Sequence, residues 1–213
     1  MLREKQQRPD SRGRCLRRRL NAIRWQSYTL RGNRFVRRVR YRVAASLDGY
    51  IAGPNGEIDW IVHDPNVDFA SIYAGFDTVL LGRTTYELTR QPGAPPWPAG
   101  WRIYVFSRTL NPVDHPDVTV VSSDIVAPVA ELRAQPGLDI WLFGGGNLFA
   151  SLLAAGLVDQ VEVALIPVLL GQGIPLLGAE ARVPLTLVQS DRTDVGIVNL
   201  VYNVHAVSTR GTG

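Results

Sequence analysis

The chain almost lacks lysine and cysteine. Among its 213 residues, Lys5 is the single lysine and Cys15 the single cysteine. A disulfide within one chain and a cysteine-based zinc site are therefore both excluded. Schiff-base catalysis is excluded from residue 41 onward for want of an amine. His63, His115 and His205 are scattered without metal-ligand spacing, so no metal is expected. No Ser–His–Asp ordering stands out. No stretch reaches the ~18 uninterrupted apolar residues of a membrane-spanning helix. An apolar content of 46% rules out wholesale disorder.

Charge is present but unevenly placed. Residues 1–40 hold 13 Arg and Lys5 against two acids, a net of +12. Residues 41–213 hold nine Arg against 17 acids, a net of −8. The sequence thus reads as a basic arm, residues 1–38, followed by one acidic domain, residues 39–213, of ordinary size. An acidic body is a poor footprint for nucleic acid, so only the arm could serve one. Its Arg17-Arg18-Arg19 and Arg37-Arg38 clusters suit nucleic acid or anionic lipid. Its Arg-rich, acid-poor composition also suits an organelle transit peptide. The plainest reading is an unstructured extension, such as an early start codon adds, because the fold begins cleanly near Val39.

From there strands alternate with short helices. Buried strands are expected at 40–46, 78–81, 103–106, 118–121 and 140–143, with helices at 65–74, 83–88, 124–133 and 147–155. Asp124 is the expected N-cap of the third helix. Residues 91–100 hold four prolines and form a loop. A long strand over 161–170, broken at Pro167, is followed by an alternating antiparallel pair at 185–189 and 198–207. This order predicts a parallel sheet with crossover helices and an antiparallel edge.

Three strand ends carry candidate chemistry. In Trp141-Leu-Phe-Gly-Gly-Gly-Asn-Leu-Phe149 a buried strand runs through glycines straight into a helix. Backbone without Cβ atoms lets a ligand approach, and the first helical N–H groups favour an anion. It is neither a Rossmann fingerprint nor a P-loop. The run Leu81-Gly82-Arg83-Thr84-Thr85 repeats the strand–glycine–helix plan with a guanidinium. Phe106-Ser107-Arg108-Thr109 ends a third strand. Ligands of parallel sheets sit at such carboxyl ends, so glycine amides with Arg83 and Arg108 suggest a polyanionic ligand. Asp48, Asp59, Asp64 and Asp68 could relay a proton, or could cap turns and helices.

Taken in order, Ser46-Leu-Asp-Gly-Tyr-Ile-Ala52, Asp59-Trp60, Leu81-Gly-Arg-Thr-Thr-Tyr-Glu87, Phe106-Ser-Arg108, the glycines 144–146 and Pro167-Val-Leu-Leu-Gly-Gln-Gly173 resemble the dihydrofolate reductase-like family. The branch they resemble is that of the C-terminal reductase domain of the bifunctional riboflavin deaminase-reductase. The resemblance covers residues 40–207. It implies an α/β fold of three layers, α/β/α, around a mostly parallel eight-stranded sheet with an antiparallel edge.

The resemblance also implies NADPH as cofactor. Gly82, Arg83 and Thr84 match the phosphate-binding helix start, and Ser107 and Arg108 match positions that meet the adenosine 2′-phosphate. Gly144, Gly145, Gly146, Asn147 and Leu148 match the pyrophosphate segment, where the family often has a cis peptide. Ala45 and Ala52 match backbone positions that hold the nicotinamide carboxamide. On the substrate side, Ser46 and Trp60 are expected in the pocket, with Asp48 or Asp64 orienting the substrate or feeding the proton. Trp101 stands where folate reductases carry an arginine, which argues against folate. The expectation is a cytoplasmic NADPH-dependent reductase of a small heterocycle of pteridine or pyrimidine type, with a homodimer implied by the branch. The alternative is a non-catalytic NADP(H)-binding or sensor protein of the same fold.

Overall fold

A computed structural model describes residues 29–30, 35–178 and 182–205. Most of the basic arm therefore lies outside the described residues. Near its end, β1 (Thr29–Leu30) and β2 (Phe35–Val36) pair antiparallel. There follow β3 (Val39–Ser46), β4 (Tyr50–Ala52), α1 (Phe69–Tyr73), β5 (Phe76–Gly82) and α2 (Arg83–Leu88). Next come β6 (Arg102–Phe106), β7 (Thr119–Val121), α3 (Val126–Ala134), β8 (Asp139–Gly144) and α4 (Gly146–Ala154). The chain continues with β9 (Gln160–Ile166), β10 (Ile174–Pro175), β11 (Leu185–Arg192) and β12 (Val198–Val204).

Eight strands form one sheet in the order β11-β12-β9-β3-β8-β5-β6-β7. β9, β3, β8, β5, β6 and β7 are parallel neighbours, and β12 and β11 add the antiparallel edge. Strand periodicity sorts the side chains between two cores. Val39, Tyr41 and Ala45 of β3 join Leu142 and the helices α3 and α4, and Tyr41 stacks on Phe149 at 3.9 Å. On the opposite face Phe76, Val79, Leu81, Tyr86 and Trp141 pack together. Fully buried aliphatic side chains such as Leu80, Ile140 and Leu152 each contribute roughly 1.5–3 kcal/mol of transfer free energy.

The folded body starts earlier than its expected boundary at residue 39. The Arg37 side chain is buried and donates to Asp77, to Thr78 Oγ1 and to the Leu138 carbonyl. Arg38 meets Asp139 at 2.6 Å, and Arg40 Nε meets Glu162 Oε1 at 2.5 Å. Arg42 NH1 reaches the other oxygen of Glu162 at 2.7 Å. The Arg37-Arg38 cluster is thus spent on internal carboxylates rather than offered to nucleic acid or lipid. Asp77, Asp139 and Glu162 lie on β5, β8 and β9, so this network ties β3 and the two residues before it to three other strands.

Other boundaries shift for local reasons. α1 begins at Phe69, not 65, because Asp68 caps it, accepting from Ser71 N at 3.0 Å. For α3, Asp124 accepts from Val126 N at 2.8 Å, although Ile125 holds the N-cap position itself. β9 ends at Ile166, because Pro167 brings no N–H to continue the ladder. Gly173, at φ +155°, lies so close to β4 that a Cβ would stand 2.2 Å from the Ala52 carbonyl oxygen. This close approach allows the short β10–β4 pairing, which no local pattern announced.

Candidate functional site

Strands β8, β5 and β6 are adjacent and parallel, so their carboxyl ends come together: Leu81 pairs with Gly144, and Gly82 with Phe106. α2 starts directly from β5 with Gly82 as N-cap, and α4 from β8 with Gly145 as N-cap. Neither cap residue makes a side-chain hydrogen bond, which leaves both sets of first-turn N–H groups without a cap from that residue. Gly144 sits at φ +154°, and the Gly144–Gly145 peptide is cis. The two junctions abut: a Cβ at Gly82 would lie 3.6 Å from Gly145 N.

Charged groups flank them. Arg83 leans along its helix, with Nε 2.7 Å from Glu87 and NH1 2.7 Å from Thr109 Oγ1. Arg108 is exposed and has no hydrogen-bond or ion-pair partner among the described residues. Ser107 is buried, and its Oγ accepts from Thr109 N and Leu110 N at 3.2 and 3.1 Å, shaping the turn that presents Arg108.

A cleft of about 1260 Å³ opens over these strand ends. Gly82, Arg83, Thr84, Ser107, Arg108, Gly144, Gly145, Gly146, Asn147 and Leu148 all line it, as do Ala52 and Asp64. Chain positions up to 96 residues apart, from Ala52 to Leu148, are thereby brought to one place.

Four expected residues lie elsewhere. Ala45 is buried in the core beside α4, and its neighbour Ala44 lines the cleft instead. Trp60 does not line the cleft; its indole N–H donates to the Glu57 carbonyl at 3.0 Å within a local turn. Ser46 and Asp48 form a brace outside it. The Ser46 hydroxyl donates to Asp48 Oδ1 at 2.6 Å, and Asp48 Oδ2 accepts from Gly171 N at 2.7 Å. Leu170 N also donates to this carboxylate at 3.1 Å. The Ser46 hydroxyl, with the Gly171 and Leu170 amides, holds the Asp48 carboxyl down at about 2. An acceptor kept ionised in this way fastens the β3–β4 turn to the loop at 167–173 and is poorly suited to donating a proton.

Asp64 is in a different position. It is buried, its Oδ1 accepts from Asn66 N at 2.9 Å, and it lines both the main cleft and an adjoining polar recess of about 430 Å³. Arg192, Thr193, Asp194 and Asn199 share that recess.

Sequence reasoning missed two parts of the cleft. Arg42 and Glu162, an ion pair across β3 and β9, both line it. An aromatic wall of Trp97, Trp141 and Phe143 was also not foreseen. Trp97 reaches in from the proline-rich loop, stacking on Trp101 at 5.9 Å and meeting Phe143 edge-on at 5.2 Å. Four prolines in ten residues announced the loop but not its direction. Trp101 belongs to the same cluster, edge-on to Tyr73 at 5.7 Å.

Known proteins resemble the chain in sequence and in fold. Uncharacterized protein YyaP of Bacillus subtilis (strain 168) is 35% identical over 179 residues, covering 78% of this chain and 95% of its own. A crystal structure of a protein assigned by name to riboflavin biosynthesis, from Shewanella sp. PV-4, superposes with a TM-score of 0.68 at 28% identity. It spans 79% of this chain and 99% of that one. The Thermotoga maritima diaminohydroxyphosphoribosylaminopyrimidine deaminase/5-amino-6-(5-phosphoribosylamino)uracil reductase matches with a TM-score of 0.59 at 17% identity. It covers 80% of this chain and 57% of that one, a likeness of fold. The sheet order and flanking helices are those of the dihydrofolate reductase-like fold. The family model of the RibD C-terminal domain matches residues 37–199, beginning at the buried Arg37, and the chain belongs to that family.

Proposed function

We propose that the protein is an NADPH-dependent reductase of a small heterocyclic substrate. The observation that carries this reading is the convergence, at three adjacent strand ends in one large cleft, of two glycine-started helices and Arg108, which has no partner among the described residues. The groups present fit the cofactor. Uncapped amides of α2 and α4 suit a pyrophosphate, and a free guanidinium suits a further phosphate through paired N–H donors. Gly82, Arg83, Thr84, Ser107, Arg108 and residues 144–148 would hold it, with Ala52 toward the nicotinamide. When bound, NADPH supplies a hydride.

The chain's own residues do the rest. The aromatic wall of Trp97, Trp141 and Phe143 excludes water and offers flat surfaces to a planar ring. Asp64, buried beside the cleft, is placed to orient a substrate N–H or to hold a proton for it. The Asp48 brace positions the β3–β4 turn that leads into β4 and its Ala52. The exposed apolar row Leu185, Leu187 and Val188 on the edge strand β11 supports a homodimer, which sedimentation velocity tests by one species at twice the chain mass.

Titration of the Arg108→Ala variant with NADPH and NADH tests the cofactor assignment. Loss of a charge-assisted contact of about 1.5–3 kcal/mol lowers NADPH affinity by roughly 10- to 150-fold and leaves NADH affinity unchanged. Equal loss for both cofactors would sink it. NADPH binding without oxidation by any pteridine or pyrimidine acceptor would favour the non-catalytic alternative.

A further inference from the structure

Residues 167–178 run from the Asp48 brace to the first turn of α4, and three sets of contacts set their course. At the start, Leu47 N donates to the Val168 carbonyl at 2.9 Å, and Asp48 accepts from Leu170 N and Gly171 N at 3.1 and 2.7 Å. In the middle, Ile174 pairs with Ala52 and Pro175 with Tyr50, and Leu176 N donates to the Gly49 carbonyl at 2.9 Å. At the far end the segment lies against α4. A Cβ on Gly146 would stand 3.0 Å from the Pro175 carbonyl oxygen, and one on Gly178 would stand 2.8 Å from Asn147 Oδ1. Ile174, Pro175 and Gly178 line the cleft with Ala52, Gly146 and Asn147, whereas Asp48, Leu170 and Gly171 do not.

Little else orders this segment. None of its residues is fully buried, and only the two-residue β10 is regular structure. Leu176 and Leu177 pack against the core that includes α4, but the first half has no such anchor. Gly171 turns there at φ +75°, a conformation open to glycine but not imposed by it. Asp48 is the one side chain that hydrogen-bonds residues 167–178 among the described residues. Its two amide bonds are charge-assisted, hence stronger than neutral ones, and offset the entropy of ordering an exposed loop. Without them the loop opens at residues 168–171, and its hold on β4 and on the start of α4 slackens. Gly82, Arg83, Ser107 and Arg108 share no hydrogen bond with this segment among the described residues.

We propose that Asp48 is a positioning residue for the dinucleotide: it fastens residues 167–178 to the β3–β4 turn and so sets Ala52 and the first turn of α4 in register, without meeting the ligand itself. This rests on the reading that the cleft holds NADPH. It goes further by giving a carboxylate outside the cleft a share in cofactor affinity, carried through the loop to Gly146 and Asn147.

Calorimetric titration of the full chain with NADPH and with adenosine 2′-monophosphate tests this, at a temperature where parent and variants are folded. The fragment keeps the 2′-phosphate but lacks the pyrophosphate and the nicotinamide. Asp48→Asn should weaken NADPH by about tenfold, an ordinary coupling between sites, and leave the fragment unchanged. Ser46→Ala, which removes one donor to the carboxylate, guards against a folding defect and should show the same pattern in smaller measure. Hydrogen exchange supplies the second readout. Without ligand, Asp48→Asn should quicken exchange at residues 146–149. By reciprocity NADPH should slow exchange at Leu170 and Gly171 in the parent and not in the variant. Unchanged NADPH affinity, equal loss for NADPH and the fragment, or exchange changes confined to residues 46–52 and 167–171 overturn the proposal. A parent that binds neither ligand, with exchange at 146–149 still governed by Asp48, overturns the cofactor reading alone and upholds the coupling.

Discussion

Replacing Arg40 with Met tests whether the network under β3 holds the sheet together. The Arg40 guanidinium is 4% exposed, sits between Glu162 and Asp139 and lies 4.6 Å from the Phe76 ring centroid. Removing it leaves two buried carboxylates, each 3% exposed or less, with one arginine apiece: Arg42 for Glu162 and Arg38 for Asp139. Breaking one side of a buried pair costs about 3–5 kcal/mol, and the surviving partners place this case near 3. For a chain of this size that is a fall in Tm of about 6–12 °C. Arg83→Ala is the internal comparison. The Arg83–Glu87 pair is half exposed, and its loss should cost under about 1 kcal/mol. Differential scanning calorimetry at 0.1 and 1 M NaCl separates the two, because salt screens the surface pair and not the buried one. A fall of less than about 2 °C for Arg40→Met, or one that disappears at high salt, would refute the reasoning.

Two further perturbations probe the loops around the cleft. Because the folded Asp48 carboxyl is held at about 2, below its ordinary 3.8, its contribution to stability is full above about pH 4 and is lost as pH falls through about 2. Asp48→Asn should therefore melt below the parent at pH 6, the two converging near pH 2; a gap independent of pH would show that the brace does not depend on charge. Gly173→Ala, with its Cβ forced to 2.2 Å from the Ala52 oxygen, should cost more than the roughly 1–3 kcal/mol of the backbone conformation alone. Faster hydrogen exchange confined to β4 and β10 would report it, and an unchanged Tm would count against the close approach.

The parts legible in the sequence were those whose cause is local. A strand that meets three glycines and then a helix carries its geometry within nine residues, and so does Gly82 before Arg83. Sheet class followed from the alternation of elements. What escaped were pairings whose partners lie far away. Arg37 and Arg38 looked like the end of a basic arm because Asp77 and Asp139 are 40 and 101 residues downstream. Trp60 is expected in the pocket because it sits in a recognisable motif, whereas Trp97, which does line the cleft, is placed by packing against Trp101 and Phe143. Asp48 is expected in the pocket because its Ser-Leu-Asp-Gly motif matches a substrate-side position of the resembled family. The amides that occupy it come from residues 170 and 171, at and just past the end of the strand expected over 161–170, which in the structure stops at Ile166.

The arginines of β3 also impose an order on assembly. β3 emerges early in synthesis and ends as the middle of the sheet, yet its charges cannot be buried until their counterions exist. Glu162 follows Arg40 by 122 residues, an interval of about 6–24 s at roughly 5–20 residues per second. Until then β3 with Arg40 and Arg42, and with Arg37 and Arg38 just before it, stays hydrated and self-repelling, a poor template for premature pairing with another chain. The same pairs that lock the finished sheet thus keep its first strand out of the interior until β9 has been made, so the central strands close late and together.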